Sequence, residues 1–88
     1  MTNQEFIEFA KERVLSYTNA LLQNEGKDEI GMDGVYVVWS CKTLQNSKEL
    51  LSTTVSNGMY YEVTYNGDKS EVYFDAYKKL ENICFQGL

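Results

Sequence analysis

Cys41 stands between Ser40 and Lys42, and a neighbouring ammonium is one of the groups that can turn a thiol into a nucleophilic thiolate. In an extended chain consecutive side chains point to opposite faces, so Lys42 is aimed away from the sulfur. Histidine, the usual general base near neutral pH and the commonest metal ligand, is absent from the sequence. Ser/His and Cys/His nucleophile arrangements and Cys/His zinc sites are thereby excluded, and Cys41 reads as a buried structural cysteine. Glu62 and Glu71 are the nearest pair of carboxylates for acid–base work, but they fall on the solvated side of their strands with no pocket signature around them. Asp28, Glu29 and Asp33 share a glycine-rich loop whose spacing lacks the alternating ligands and closing glutamate of a calcium loop. Neither GxxxxGK[ST] nor GxGxxG occurs, so no phosphate cradle is expected. The chain reads as a non-enzyme without metal or cofactor.

The remaining excess is tyrosine, with 7 in the chain. Strand and helix periodicity assigns Tyr17, Tyr61, Tyr65 and Tyr77 to core faces. Tyr36, Tyr60 and Tyr73 are left together on the opposite side of a sheet, beside Thr53, Glu62 and Thr64. A tyrosine presents rigid apolar area with a polar tip, which suits a protein interface as well as it suits a half-buried strand position. Phe9 falls on the polar flank of its helix near Arg13 and joins these tyrosines as a candidate contact residue. Aromatic rings on a sheet can also stack single-stranded bases, although the glycine-rich basic–aromatic signature of sheet-based RNA binders is missing.

The elements that must position these residues follow from local patterning. Thr2 and Glu5 form a capping-box pair ahead of an amphipathic helix over residues 3 to 23, with Phe6, Ile7, Ala10, Val14, Tyr17, Thr18, Leu21 and Leu22 on its broad apolar arc. Residues 25 to 34 have loop composition. Residues 35 to 41 form a strand with Val35, Val37, Trp39 and Cys41 on the core side. A polar connection over 43 to 49 follows, with Leu44 as its one buried candidate. Further strands are expected over 50 to 55, 59 to 65 and 70 to 75, separated by Asn57-Gly58 and Asn66-Gly67, whose residue types tolerate the positive φ of tight turns.

A two-residue loop at Asn66-Gly67 would set Glu62 opposite Glu71, a destabilising like-charge pair. Charge therefore predicts a four-residue loop over 66 to 69 that pairs Val63 with Val72 and Tyr61 with Phe74. After Asp75 the apolar spacing turns helical through Ala76, Tyr77, Leu80, Ile83 and Cys84, which predicts a second helix. Residues 81 to 87 resemble a protease recognition sequence used in affinity tags; Ile83 and Cys84 depart from it and fit the helix stripe, so the segment reads as native. The predicted fold is a single α+β domain over residues 1–88: a four-stranded antiparallel meander with an N-terminal and a C-terminal helix packed on one face.

Bulk properties narrow the partners. At 88 residues, 43% hydrophobic and 14% aromatic, the chain can bury one packed core. With 8 Lys and Arg against 13 Asp and Glu, the net charge of −5 opposes a phosphate backbone. No apolar run reaches the roughly 20 residues of a membrane helix, and Met1 leads into polar residues instead of a basic and then apolar leader. Two cysteines make no disulfide framework. A cytoplasmic protein without membrane contact is expected.

The strings Val37-Val-Trp-Ser-Cys-Lys-Thr-Leu-Gln-Asn46 and Asn57-Gly-Met-Tyr-Tyr-Glu-Val-Thr-Tyr-Asn-Gly-Asp-Lys69 resemble an uncharacterised family of small proteins encoded by phages and prophages of low-GC Gram-positive bacteria. The resemblance spans nearly the whole chain. It implies a phage-encoded protein in the cytoplasm of an infected cell and carries over no catalytic or binding residue. The expected function is a non-enzymatic accessory protein that binds a host or phage protein, a host defence component among them, through the face of Tyr36, Tyr60 and Tyr73 and the acidic loop of Asp28, Glu29 and Asp33. The alternative is a single-stranded nucleic-acid or replication accessory. A homodimer through Tyr36, Tyr60, Tyr73 and Phe9 would account for the same aromatics.

Overall fold

The computed structural model describes residues 1–87. Helix α1 spans Asn3–Asn24, a single 3-10 turn spans Met32–Gly34, and four strands follow: β1 Val35–Thr43, β2 Asn46–Thr53, β3 Met59–Asn66 and β4 Glu71–Lys78. The strands form one antiparallel meander in the order β1-β2-β3-β4. The expected helix-plus-meander architecture is present.

Both ends of α1 are closed by local chemistry. The Glu5 N–H donates to Thr2 Oγ1 at 3.1 Å, and the Thr2 N–H donates to Glu5 Oε1 at 2.8 Å, so the capping box is complete. Those Thr2 hydrogen bonds hold the Glu5 carboxyl below its usual range. At the other end Gly26 adopts φ 71°, the Gly26 N–H donates to Gln23 O at 3.1 Å and the Lys27 N–H donates to Leu22 O at 2.9 Å. That pair of bonds is a Schellman stop, which glycine enters without steric penalty. Asn19 then ties the following loop to the helix, accepting from the Ile30 N–H at 2.9 Å and donating to Ile30 O at 3.1 Å.

Phe6, Ala10, Val14, Thr18 and Leu22 recur every four residues and are all buried. They form one ridge, and its Phe6, Ala10 and Val14 pack with Val35, Leu51, Tyr61 and Val63 of the sheet. Each large apolar side chain buried there contributes roughly 1.5–3 kcal/mol. Thr18 Oγ1 donates to Tyr61 Oη at 3.4 Å, which gives the buried phenol a partner. Tyr17 leans over the edge of the ridge, its ring 5.6 Å from that of Tyr61 and 5.4 Å from that of Phe74.

No C-terminal helix forms. β4 runs on through Lys78, and residues 79–87 have no regular secondary structure. The residues expected to start that helix are used by the sheet: Ala76 pairs with Tyr61, Tyr77 with Tyr60 and Lys78 with Met59. Pairing along the full length of β3 satisfies backbone groups that a helix would have left open. Leu80, Ile83 and Phe85 are exposed.

Two turns also depart from expectation. The polar connection over 43 to 49 is a tight turn at Leu44-Gln45, with β2 beginning at Asn46. Leu44 has φ 47° and is 96% exposed, so it is not a core residue. The strand was masked because its covered side carries Ser47, Glu49 and Thr53 beside Leu51, a polar set that breaks hydrophobic alternation. At the β3–β4 turn Val63 pairs with Phe74, Tyr65 with Val72 and Asn66 with Glu71, two residues beyond the register that charge predicted. Here Asn66 Oδ1 accepts from the N–H groups of Asp68 and Lys69, and Ser70 takes φ 52°. Turn geometry sets the register, since a cross-strand charge pair is worth only about 0.2–1 kcal/mol. The slip is even, so Tyr61, Val63, Val72 and Phe74 keep the helix side as expected.

The two Asn-Gly pairs work differently. Gly58 has φ 71°, the conformation its type suggested. Gly67 is required by close approach: a Cβ there would lie 2.2 Å from Gln45 O, because the Gly67 N–H donates to that carbonyl at 3.1 Å. The β1–β2 and β3–β4 turns are thus docked on each other through a bare backbone. Gly67→Ala should lower stability by about 1–3 kcal/mol through forced separation of the turns, read as a lower urea midpoint; an unchanged midpoint would show that the contact is dispensable.

Among the described residues Glu49 is the one charged side chain in the interior. It is 1% exposed, sits between Ser40 and Val63 on the covered side of β2, and neither carboxylate oxygen has a hydrogen-bond partner. Burial pushes its carboxyl above the usual value, and the Lys11 ammonium on α1 partly opposes that rise. A raised folded-state value means that ionisation disfavours the fold: the penalty is absent below the ordinary carboxylate value of 4.5 and grows as pH rises through the folded value. Glu49→Met keeps the length and removes the orphaned charge, so it should raise stability at pH 7 by at least about 1–3 kcal/mol. Thermal unfolding of both proteins from pH 4 to pH 8 checks this: the gap should widen with pH, and a gap independent of pH would overturn the assignment.

Candidate functional site

The sheet has a side that α1 does not touch, and a single extra residue in β1 decides what stands on it. Val37 pairs with Leu51 and Trp39 with Leu50, so Val38 is a β-bulge. Ahead of the bulge Val35 and Val37 face the helix. Beyond it the alternation is inverted, and Trp39, Cys41 and Thr43 turn to the open side. Trp39 is 45% exposed and Cys41 is exposed, which corrects the expectation of a core tryptophan and a buried cysteine. Cys84 is exposed as well, and both thiols are free.

Cross-strand pairing arranges the open side in rows. One row runs Tyr36, Ser52, Tyr60, Tyr77. The next runs Trp39, Leu50, Glu62, Asp75, and the third Cys41, Lys48, Thr64, Tyr73. Tyr36, Tyr60 and Tyr73 therefore share one face, as the alternation predicted. Tyr77, expected in the core, lies on this face too and is 52% exposed, because β4 replaces the helix that was to bury it. Phe9 does not join them. It is half-buried on α1, on the other side of the sheet, with the Arg13 guanidinium 5.4 Å from its ring centroid.

Sequence reasoning missed Trp39, Leu50 and Tyr77 as members of this surface. Tyr77 was legible only as part of a helical stripe, and nothing in the local pattern of β1 marks Val38 as the bulged residue. Ser52 is buried between the flanking tyrosines and donates from Oγ to Met59 O at 2.9 Å, so that row is floored by a satisfied hydroxyl.

The electrostatics of the face are uneven. Lys48 is 3.6 Å from Glu62. Glu62 stands directly opposite Asp75, and Asp75 has no ion pair among the described residues. The Tyr73 hydroxyl donates to Glu71 at 2.8 Å, a bond that raises the phenol value, with the negative charge of Glu71 adding to it. A shallow depression of about 310 Å³ lies beside Trp39, Cys41 and Thr64. Another, of about 350 Å³, lies on the helix side between Arg13, Tyr17 and Phe74.

Cys41 stands opposite Lys48 in the ladder, and the Tyr73 hydroxyl is tied to Glu71. Among the described residues no three His, Cys, Asp or Glu side chains are grouped to hold a metal, and no helix is long and apolar enough to cross a membrane. What the face presents is aromatic area, phenol hydroxyls and carboxylates on a rigid sheet, which suits stacking, hydrogen bonding and cation–π contact. No curated protein and no solved structure matches the chain. One family does match, over residues 7–87, so that the match takes in the helix, all four strands and the exposed residues after β4. The chain belongs to the DUF6275 family of unknown function.

Proposed function

We propose that this chain is a non-enzymatic protein-binding module whose contact surface is the open face of the sheet. The carrying observation is the gathering of Tyr36, Trp39, Tyr60, Tyr73 and Tyr77 on one uncovered side, where rigid aromatic rings with polar tips are the residues enriched at protein interfaces. The resemblance to small phage and prophage proteins supports an accessory role in an infected bacterial cell, with a host or phage protein as partner and a host defence component as one such target. Base stacking on the same rings is the competing reading, and the carboxylates of Glu62, Glu71 and Asp75 oppose it by repelling phosphate.

Affinity capture with the intact chain from lysate of its bacterial host should recover a stoichiometric partner that is lost on Tyr60→Ala combined with Tyr73→Ala. Both positions tolerate truncation without opening the core, since neither ring belongs to it. Undiminished recovery by the double variant would remove the face assignment. A gel shift of single-stranded oligonucleotides at low salt, abolished by the same double variant, would transfer the face to nucleic acid.

A further inference from the structure

The open face is a poor match for itself. Among the described residues it carries one ammonium, Lys48, against the three carboxylates of Glu62, Glu71 and Asp75. An isologous pairing of two copies would lay that negative set upon its own duplicate, which costs affinity and selects against the homodimer. Phosphate-bearing partners meet the same repulsion.

The carboxylates also hold a conflict that the free chain relieves only at Glu62, through Lys48. Directly opposed residues of an antiparallel pair hold their Cβ atoms about 4.5–5.5 Å apart, and like charges there are destabilising. Glu62 and Asp75 are such a pair, and Lys48 reaches Glu62 alone. The rows on either side of them are aromatic, with Tyr60 and Tyr77 in one and Tyr73 in the other. Rings flanking paired carboxylates match a planar cation, whose faces stack on the rings while its N–H fork meets the oxygens.

We infer that the open face receives an arginine-bearing cationic segment of a partner protein, the guanidinium lying between Tyr60, Tyr73 and Tyr77 over Glu62 and Asp75. The inference rests on the reading of this face as a protein-binding surface and specifies the partner's chemistry. The segment supplies Asp75 with the positive charge that Lys48 gives only to Glu62, so binding relieves the remaining repulsion between β3 and β4. An arginine fits better than a lysine because it is planar, less strongly hydrated and able to engage two carboxylate oxygens at once.

The single tryptophan of the chain, Trp39, lies in the same row as Glu62 and Asp75 and reports occupancy directly. The full-length protein is titrated with a peptide of alternating Arg and Gly, and with matched Lys-Gly and Glu-Gly peptides, while Trp39 emission is followed. A saturable change with the Arg peptide, weaker with the Lys peptide, absent with the Glu peptide and diminished by salt is the expected result. Asp75→Asn should weaken the Arg peptide by about fivefold, the size of one partly exposed ion pair. The same substitution should leave the free protein's Tm unchanged or raised, since it removes a like-charge contact. No saturable change, equal binding of the Glu peptide, or full affinity in Asp75→Asn would overturn the inference. A captured partner that is lost on Tyr60→Ala with Tyr73→Ala but kept by Asp75→Asn would overturn the cationic chemistry alone. A partner kept by both variants would overturn the face reading itself.

Discussion

One α-helix is about 10 Å across with its side chains, whereas four strands spaced about 4.8 Å apart make a sheet close to twice that width. The chain has a single helix to lay on its four strands, and much of its character follows from that mismatch. The α1 ridge is centred on Leu51, Tyr61 and Val63 and closes a core of small extent. β4 lies beyond its reach: Val72 and Phe74 are only partly buried, and Tyr17 covers Phe74 from the helix edge. Among the described residues nothing covers the other side of the sheet.

The bulge at Val38 acts within that constraint. It ends the run of helix-facing residues in β1 after Val37 and delivers Trp39 to the uncovered side, where the row then continues through Leu50 to the acidic pair. A strand without the extra residue would have put Trp39 over Glu49 and Ser47, near the start of α1. Bulges re-aim side chains at this kind of boundary between core and surface. The interior contains a counterpart to the exposed aromatics: Glu49 occupies a position where an apolar residue would strengthen the core.

Much of the fold was legible because its signals are local. The capping box, the four-residue ridge of α1 and the turn at Asn57-Gly58 each depend on neighbours within a few residues. The alternation in β3 and β4 assigned Tyr60, Tyr61, Val63, Tyr73 and Phe74 to their correct sides even though the register differed, since an even slip preserves the face. What escaped is non-local. Ser47 and Glu49 look like loop residues until β3 and β1 pair with them on either side. The stripe through Ala76, Tyr77 and Leu80 is a sound helical pattern, and it lost because β3 offers Ala76 and Tyr77 ladder partners.

The sequence by itself determined that a helix precedes a run of antiparallel strands, that histidine-based chemistry is outside its reach, and that Tyr36, Tyr60 and Tyr73 share a face. Those conclusions depend on composition and on side-chain period, which the chain carries residue by residue. Only the tertiary structure decided that Trp39 and Tyr77 join that face, that Phe9 does not, that Glu62 opposes Asp75, and that Gly67 must lack a side chain. Each of these depends on which backbone lies alongside which. Register, bulges and close approach are properties of pairs of segments, and no single segment encodes its partner.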